Sequence, residues 1–239
     1  MARSMNRVPN ILLFAVALFS LVSFYSLGRV FWAEVLFKNS LVAASENKGG
    51  LTYDLQIKAI NANPRFDTYH ASFSQINLAL AGNLAAKKDI TDADKQNINQ
   101  LITQAINEGK NAISLAPTRV SNWENLAAIY QALIQSAAGA DQWTLASYQQ
   151  AITLDPLNPV LRVNLGGLYF GQKKYDQAIQ QFQAAINLKA DYANAHYNLA
   201  ESFKAKELWA EAVTELEQTR MLFAFESNDY KNINKELYE

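Results

Sequence analysis

The chain has 239 residues, half of them apolar, with 21 basic against 22 acidic side chains and a formal net charge of −1. So even a balance lacks the broad basic face with which proteins grip nucleic acid, so no nucleic-acid partner is expected. The absence of cysteine removes disulfides, thiolate catalysis and cysteine-bound zinc together.

Residues 1–10 form a basic tail carrying Arg3 and Arg7, closed by Pro9-Asn10 as a start signal. Ile11 to Leu27 is then free of charge and rich in Leu, Phe and Val. Counted on past Arg29, the apolar length crosses a bilayer of about 30 Å at about 1.5 Å per residue. We assign 11–32 as a transmembrane helix in contact with lipid. A buried core helix and a cleaved signal peptide are the rivals. The small residues Val42-Ala43-Ala44 could serve as a cleavage site, but Arg29, Glu34 and Lys38 separate them from the apolar run, which favours an uncleaved anchor. Arg3 and Arg7 before the span, against Arg29, Lys38 and Glu34 after it, place the amino end in the cytoplasm and the remainder outside.

Nothing in 33–46 breaks the helix, so the span is expected to run without a linker into the next element, with the first break at Asn47-Lys48-Gly49-Gly50. Three later stops are marked by proline after an Ala-Ile pair, at Pro64, Pro117 and Pro156, and the fourth member of the series is Ala190. Proline lacks the donor and clashes with the preceding turn, so it ends helices. The intervals are 53 residues (64 to 117), 39 (117 to 156) and 34 (156 to 190). In the first, Phe66, Tyr69, Phe73, Ile76, Leu80 and Leu84 are expected on one buried face, and Thr91-Asp92-Ala93-Asp94 reads as a helix start with acids in its first turn. The second carries Trp123, Leu126, Tyr130 and Leu133, then the small-residue insertion from Ser136 to Ala140.

From Pro159 to Glu226 one pattern is written twice, 34 positions apart: Leu165 and Leu199, Tyr169 and Phe203, Tyr175 and Trp209, Ala178 and Ala212, Phe182 and Leu216. Each copy holds two apolar faces at helical spacing, separated in the first copy by Gly171-Gln172-Lys173-Lys174, where Gly171 is expected to stop the helix. The pattern resembles the tetratricopeptide repeat, a helix-turn-helix unit that buries its faces only by stacking on its neighbours. The expected architecture is all-α: one transmembrane helix running into an α-solenoid of about five such hairpins over 33–226 (33–66, 67–119, 120–158, 159–192 and 193–226), then a capping helix at 227–239 with Tyr230, Ile233 and Leu237 as its apolar stripe. A span leading straight into irregular repeats is also similar to the carboxyl-terminal region of O-antigen polymerase and ligase family membrane proteins. That resemblance implies an accessory or truncated part of a cell-surface glycan assembly enzyme.

His70 and His196 lie beside aromatics without companion ligands, so packing roles are expected rather than catalysis or metal binding. Asp92 and Asp94 lack the glycine and later glutamate of a calcium loop, and no phosphate-binding loop or nucleophile elbow occurs. No catalytic residue, cofactor, metal or small-molecule substrate is therefore expected. The dipeptide Asn-Leu recurs as Asn125-Leu126, Asn164-Leu165 and Asn198-Leu199. With each Leu in the core, each Asn, about 100° away, reaches the inner wall. There its amide could hold a peptide main chain, although Asn is also a common structural residue at this place. The repeat resemblance implies an asparagine ladder for an extended peptide of a protein partner. Glu124, Gln131, Tyr197, Glu201 and Lys204 would complete a groove of mixed charge. The function expected is a membrane-anchored scaffold without catalysis of its own.

Overall fold

The computed structural model describes residues 7–224 and 227–238. Most of the expected basic tail, and the expected end of the last repeat at Glu226, lie outside the described residues. Among those residues the structure is all-helical, in eleven helices, and divides into two compact units, Met1–Pro117 and Thr118–Glu239.

The first unit opens with α1 (Arg7–Ser45), a single helix of 39 residues. It is the one described helix long and apolar enough to cross a membrane, and in that apolar window none of it is buried. From Leu12 to Leu27 every residue but the half-buried Ser23 is exposed, whereas Ala33, Leu36, Ser40 and Ala43 are buried. Their spacing is that of one helix face, and it packs on α2 (Gly49–Ala62) and α3 (Asp67–Ala85). One helix thus carries two surfaces in series, the second beginning without a break where the first ends.

The turn after α1 corrects the expected role of Gly49-Gly50. These glycines open α2, and Gly49 is small because a Cβ there would meet Leu80 at 2.9 Å. The chain reverses instead at Asn47 (φ 58°), followed by a bond from Lys48 N to Ala43 O of 2.9 Å. Lys173 (φ 58°) and Glu207 (φ 59°) repeat this arrangement, with Lys174 N bonded to Tyr169 O and Leu208 N to Phe203 O, both at 2.9 Å. These are Schellman turns built on non-glycine residues. The expected stop at Gly171 holds, although no left-handed glycine makes it. Gly171 closes α7, and the left-handed residue falls two positions later, on exposed Lys173.

Helix α3 also buries a different face from the one expected. Tyr69 and Phe73 are buried as the spacing requires, but His70, Ser74, Asn77 and Ala81 occupy the remaining core positions, while Ile76, Leu80 and Leu84 are half-buried and Phe66 is exposed. The long α4 (Asp92–Leu115) starts where the acids predicted. Thr91 Oγ1 accepts from Asp94 N at 3.1 Å and Asp94 Oδ2 accepts from Thr91 N at 3.1 Å, a capping box. With Lys87 as a further partner at 2.8 Å, Asp94 is held down to about pKa 2.

The second unit contains α5 (Val120–Ala132), α6 (Ala140–Leu154), α7 (Pro159–Gly171), α8 (Tyr175–Leu188), α9 (Ala193–Ala205), α10 (Trp209–Met221) and α11 (Asn228–Tyr238). Consecutive helices share clusters: Ala127 and Tyr148 with Leu165 and Leu168, then Val163, Phe182 and Ala185 with Ala195 and Leu199, then Ala200 and Leu216 with Ile233. In α7 the close approach is made at Gly166, where an added Cβ would lie 2.5 Å from the Phe182 ring. This stacking of hairpins is what the 34-residue pattern requires.

Candidate functional site

The proposed groove residues fall on the first helix of each hairpin: Glu124, Asn125 and Gln131 on α5, Asn164 on α7, and Tyr197, Asn198, Glu201 and Lys204 on α9. The three asparagines are not equivalent. Asn125 is only 5% exposed, whereas Asn164 and Asn198 are half-buried. The Asn198 amide donates to Asn194 O at 2.7 Å and to Asn194 Oδ1 at 2.6 Å, so it is engaged within its own helix. A place beside a core Leu does not by itself fix how much of an Asn solvent reaches; the local packing decides it.

Two subsets do come together. Around α5, the Tyr148 hydroxyl donates to Gln131 Oε1 at 2.8 Å. Burial, with the neighbouring Asp155 charge, raises the Glu124 pKa; burial and the Glu124 charge likewise raise that of Tyr148. On α9, Tyr197, Glu201 and Lys204 follow at turn spacing, and Lys204 Nζ bonds both Glu201 Oε1 at 2.9 Å and Glu236 Oε1 at 2.5 Å. Burial alone would lower the Lys204 pKa, but the bonds to Glu236 and Glu201 leave it raised. Tyr197 is raised by burial and by the Glu201 and Glu236 charges.

Beside Tyr197 a cavity of about 620 Å³ opens between α9, the end of α10 and α11, lined by the apolar Phe223 and Ile233 and the acidic Asp191, Asp229 and Glu236 among others. The α11 stripe of Tyr230, Ile233 and Leu237 was readable in the sequence. Its acidic companions Asp229 and Glu236 were not singled out, because nothing local marks them as facing α9.

Both histidines hold structural positions. His70 Nδ1 lies 2.5 Å from Glu108 Oε2 and its Nε2 lies 2.9 Å from Pro64 O. His196 repeats this with Glu215 Oε2 at 2.6 Å and Ala190 O at 3.0 Å. Each fastens the start of one helix to the preceding loop and to the second helix of its hairpin. Both nitrogens of His70 face oxygen acceptors, so only the doubly protonated ring satisfies them. Its pKa is accordingly raised, chiefly by Glu108, against the opposing effect of burial and with help from the Pro64 carbonyl.

Comparison with known proteins places this geometry. Residues 166–206 match the tetratricopeptide repeat (TPR) family. Among solved structures, the chain is similar to the MamA protein (16% identity, TM-score 0.60, covering 80% of this chain and 91% of that one). It is also similar to TTC0263, a thermophilic TPR protein of Thermus thermophilus (16% identity, TM-score 0.59, covering 87% and 100%). A third is YrrB, described as a TPR protein with an unusual peptide-binding site (15% identity, TM-score 0.55, covering 84% and 90%). None of the curated proteins matches the sequence. At these identities the likeness is one of fold, and the fold is that of TPR proteins.

Proposed function

We propose that this chain is a single-span membrane protein that presents TPR hairpins outside the cytoplasm as a docking surface for an extended segment of a protein partner, with no catalysis of its own. The observation that carries the reading is α1, whose exposed apolar run passes without a break into the first packed hairpin. The peptide-binding role is supported by the TPR fold and by the site described for YrrB. In this reading Asn164, Asn198, Tyr197, Glu201 and Lys204 contact the segment, with Glu124 and Gln131 at the other end of the groove. Asn125 supports them from beneath.

The test replaces Asn164 and Asn198 with Ala together, and Asn125 separately, and measures melting temperature and affinity for a partner captured from detergent extracts. Each lost hydrogen bond costs about 0.5–1.5 kcal/mol, so the pair should weaken binding roughly tenfold with little change in melting. Asn125→Ala should lower melting instead. Unchanged affinity in the double variant would contradict the groove assignment.

The unbroken run of α1 into a hairpin also suits an alternative, in which the chain is an accessory or carboxyl-terminal part of an O-antigen polymerase or ligase-like glycan assembly enzyme. An adjacent gene for a many-span membrane protein, whose product copurifies with this chain, would favour that reading.

A further inference from the structure

In the crook between α1 and α2 lies a cavity of about 840 Å³, where Tyr25, Gly28, Arg29 and Trp32 of α1 face Lys58 and Asn61 of α2. Resting on the membrane-anchor reading above, we propose that this crook is a binding site for the phosphate of an anionic phospholipid headgroup, taken from the leaflet on the hairpin side. Three observations carry it.

The first is depth. Trp32 follows Leu12 by twenty residues, which is about 30 Å of helix at about 1.5 Å per residue, the thickness of the hydrocarbon core. Arg29 and Trp32 therefore reach the headgroup level when the apolar run is in lipid. The Trp32 ring agrees, since it is 57% exposed and aromatic residues of this kind collect at membrane interfaces.

The second is charge. Arg29 Nη2 donates to Asn61 O at 2.7 Å, which fixes the end of α2 at the same level and leaves the other guanidinium N–H groups for a second acceptor. The guanidinium also lies 6.0 Å from the centre of the Tyr25 ring. Lys58 is exposed and forms no ion pair among the described residues. The acidic side chain of α1 nearest in sequence, Glu34, is taken by Tyr69 at 3.0 Å and by Lys38 at 3.5 Å. The charged side chains facing the cavity are thus both cations, a guanidinium and an ammonium suited to a phosphate.

The third is room. At Gly28 an added Cβ would meet nothing within 4 Å, so the floor between the two rings is open.

The test uses the full-length chain in lipid nanodiscs of phosphatidylcholine with or without phosphatidylglycerol, and reads the lipids retained by native mass spectrometry. The wild type should retain phosphatidylglycerol over phosphatidylcholine by roughly tenfold or more, since each basic group near a membrane surface adds about 1 kcal/mol for anionic lipid. Lys58→Gln should lower that preference several-fold, and Arg29→Gln with Lys58→Gln should abolish it. If Arg29→Gln loses helicity because α2 frays, Lys58→Gln alone still decides. A preference unchanged in Lys58→Gln, or absent in the wild type, overturns the proposal. So does protection of the detergent-solubilised chain by inorganic phosphate equal to that by phosphatidylglycerol, which would make the site one for a soluble anion. Alkaline extraction of the same preparations reports membrane integration separately. A chain that is integrated without lipid preference refutes the headgroup site alone, whereas one that is extracted refutes the anchor and the site together.

Discussion

The α3–α4 and α9–α10 hairpins are fastened alike and filled differently. Each has a histidine in the fourth position of its first helix, bonded to the carbonyl six residues before it and to a glutamate of the second helix. From His70 to Glu108 is 38 residues, and from His196 to Glu215 is 19. The excess of 19 equals the difference between the 53- and 34-residue units in the sequence, so all of it lies on the turn side of the clasp. Aligned on the clasps, Ala200 and Leu216 of the regular hairpin correspond to Ser74 and Gly109 of the long one, and all four are buried. In α7–α8 the same places hold Gly166 and Phe182. Regular hairpins set one large residue against one small residue. At the equivalent places the long hairpin holds two small buried residues, and its helices are longer. The fixed end of a hairpin is where it joins the stack, and the turn end is free to grow.

The largest effect that would break this comparison is expected at Phe182. Removing its ring in front of Gly166 should cost about 3–5 kcal/mol through lost burial and a residual cavity, whereas Gly109→Ala in the long hairpin should be overpacked by no more than about 1–3 kcal/mol. Thermal unfolding of the two variants checks the order, and equal losses would mean that the two interiors are packed alike.

The clasps come next. His70→Ala and His196→Ala should each destabilise by about 1–3 kcal/mol, because a partly buried carboxylate and a loop carbonyl lose their donor. For His70 the effect carries a pH signature. Its pKa is raised on folding, so its contribution is fully present below the ordinary histidine range, and it is lost as pH rises through the raised value. The melting difference between wild type and His70→Ala should therefore be larger at pH 5.5 than at pH 9, and a difference that grows toward alkaline pH would exclude a charged clasp.

A smaller effect sharpens the contrast in filling. Asn77 occupies in α3 the place of Phe203 in α9. Its Nδ2 donates to Phe73 O at 2.7 Å, while its buried Oδ1 has no hydrogen-bond partner among the described residues. Asn77→Leu should then stabilise the chain by about 1 kcal/mol, since an uncompensated buried polar atom is replaced by an apolar one. A loss of stability would mean that this oxygen is satisfied by water in solution.

The parts of the fold legible in the sequence were those written in local pattern. The 34-residue period, the proline stops and the acidic helix start at Thr91-Asp92-Ala93-Asp94 are all written in the order of residues along the chain, and each reappears in the structure. The left-handed residues Asn47, Lys173 and Glu207 were missed because glycine is the expected signal, and here chain geometry places exposed polar residues there instead. The buried face of α3 was misread because His70, Ser74 and Asn77 are polar in type yet hydrogen-bonded, His70 to a partner as far along the chain as Glu108. Of the groove, the placement on first helices was readable. The unequal exposure of Asn125, Asn164 and Asn198, and the cavity against α11, depend on tertiary packing that no spacing rule encodes.

In the proposed reading α1 is one helix in two surroundings, lipid over its first half and protein over its second. The chain has no native cysteine, so single cysteines from Leu12 to Ser45 can be spin-labelled in bilayers and their accessibility to oxygen and to a water-soluble relaxer compared. The account predicts uniform oxygen access from Leu12 to about Leu27, then a 3.6-residue period with protection at Ala33, Leu36, Ser40 and Ala43. Water access throughout the first half, or the same period running through both halves, would contradict it.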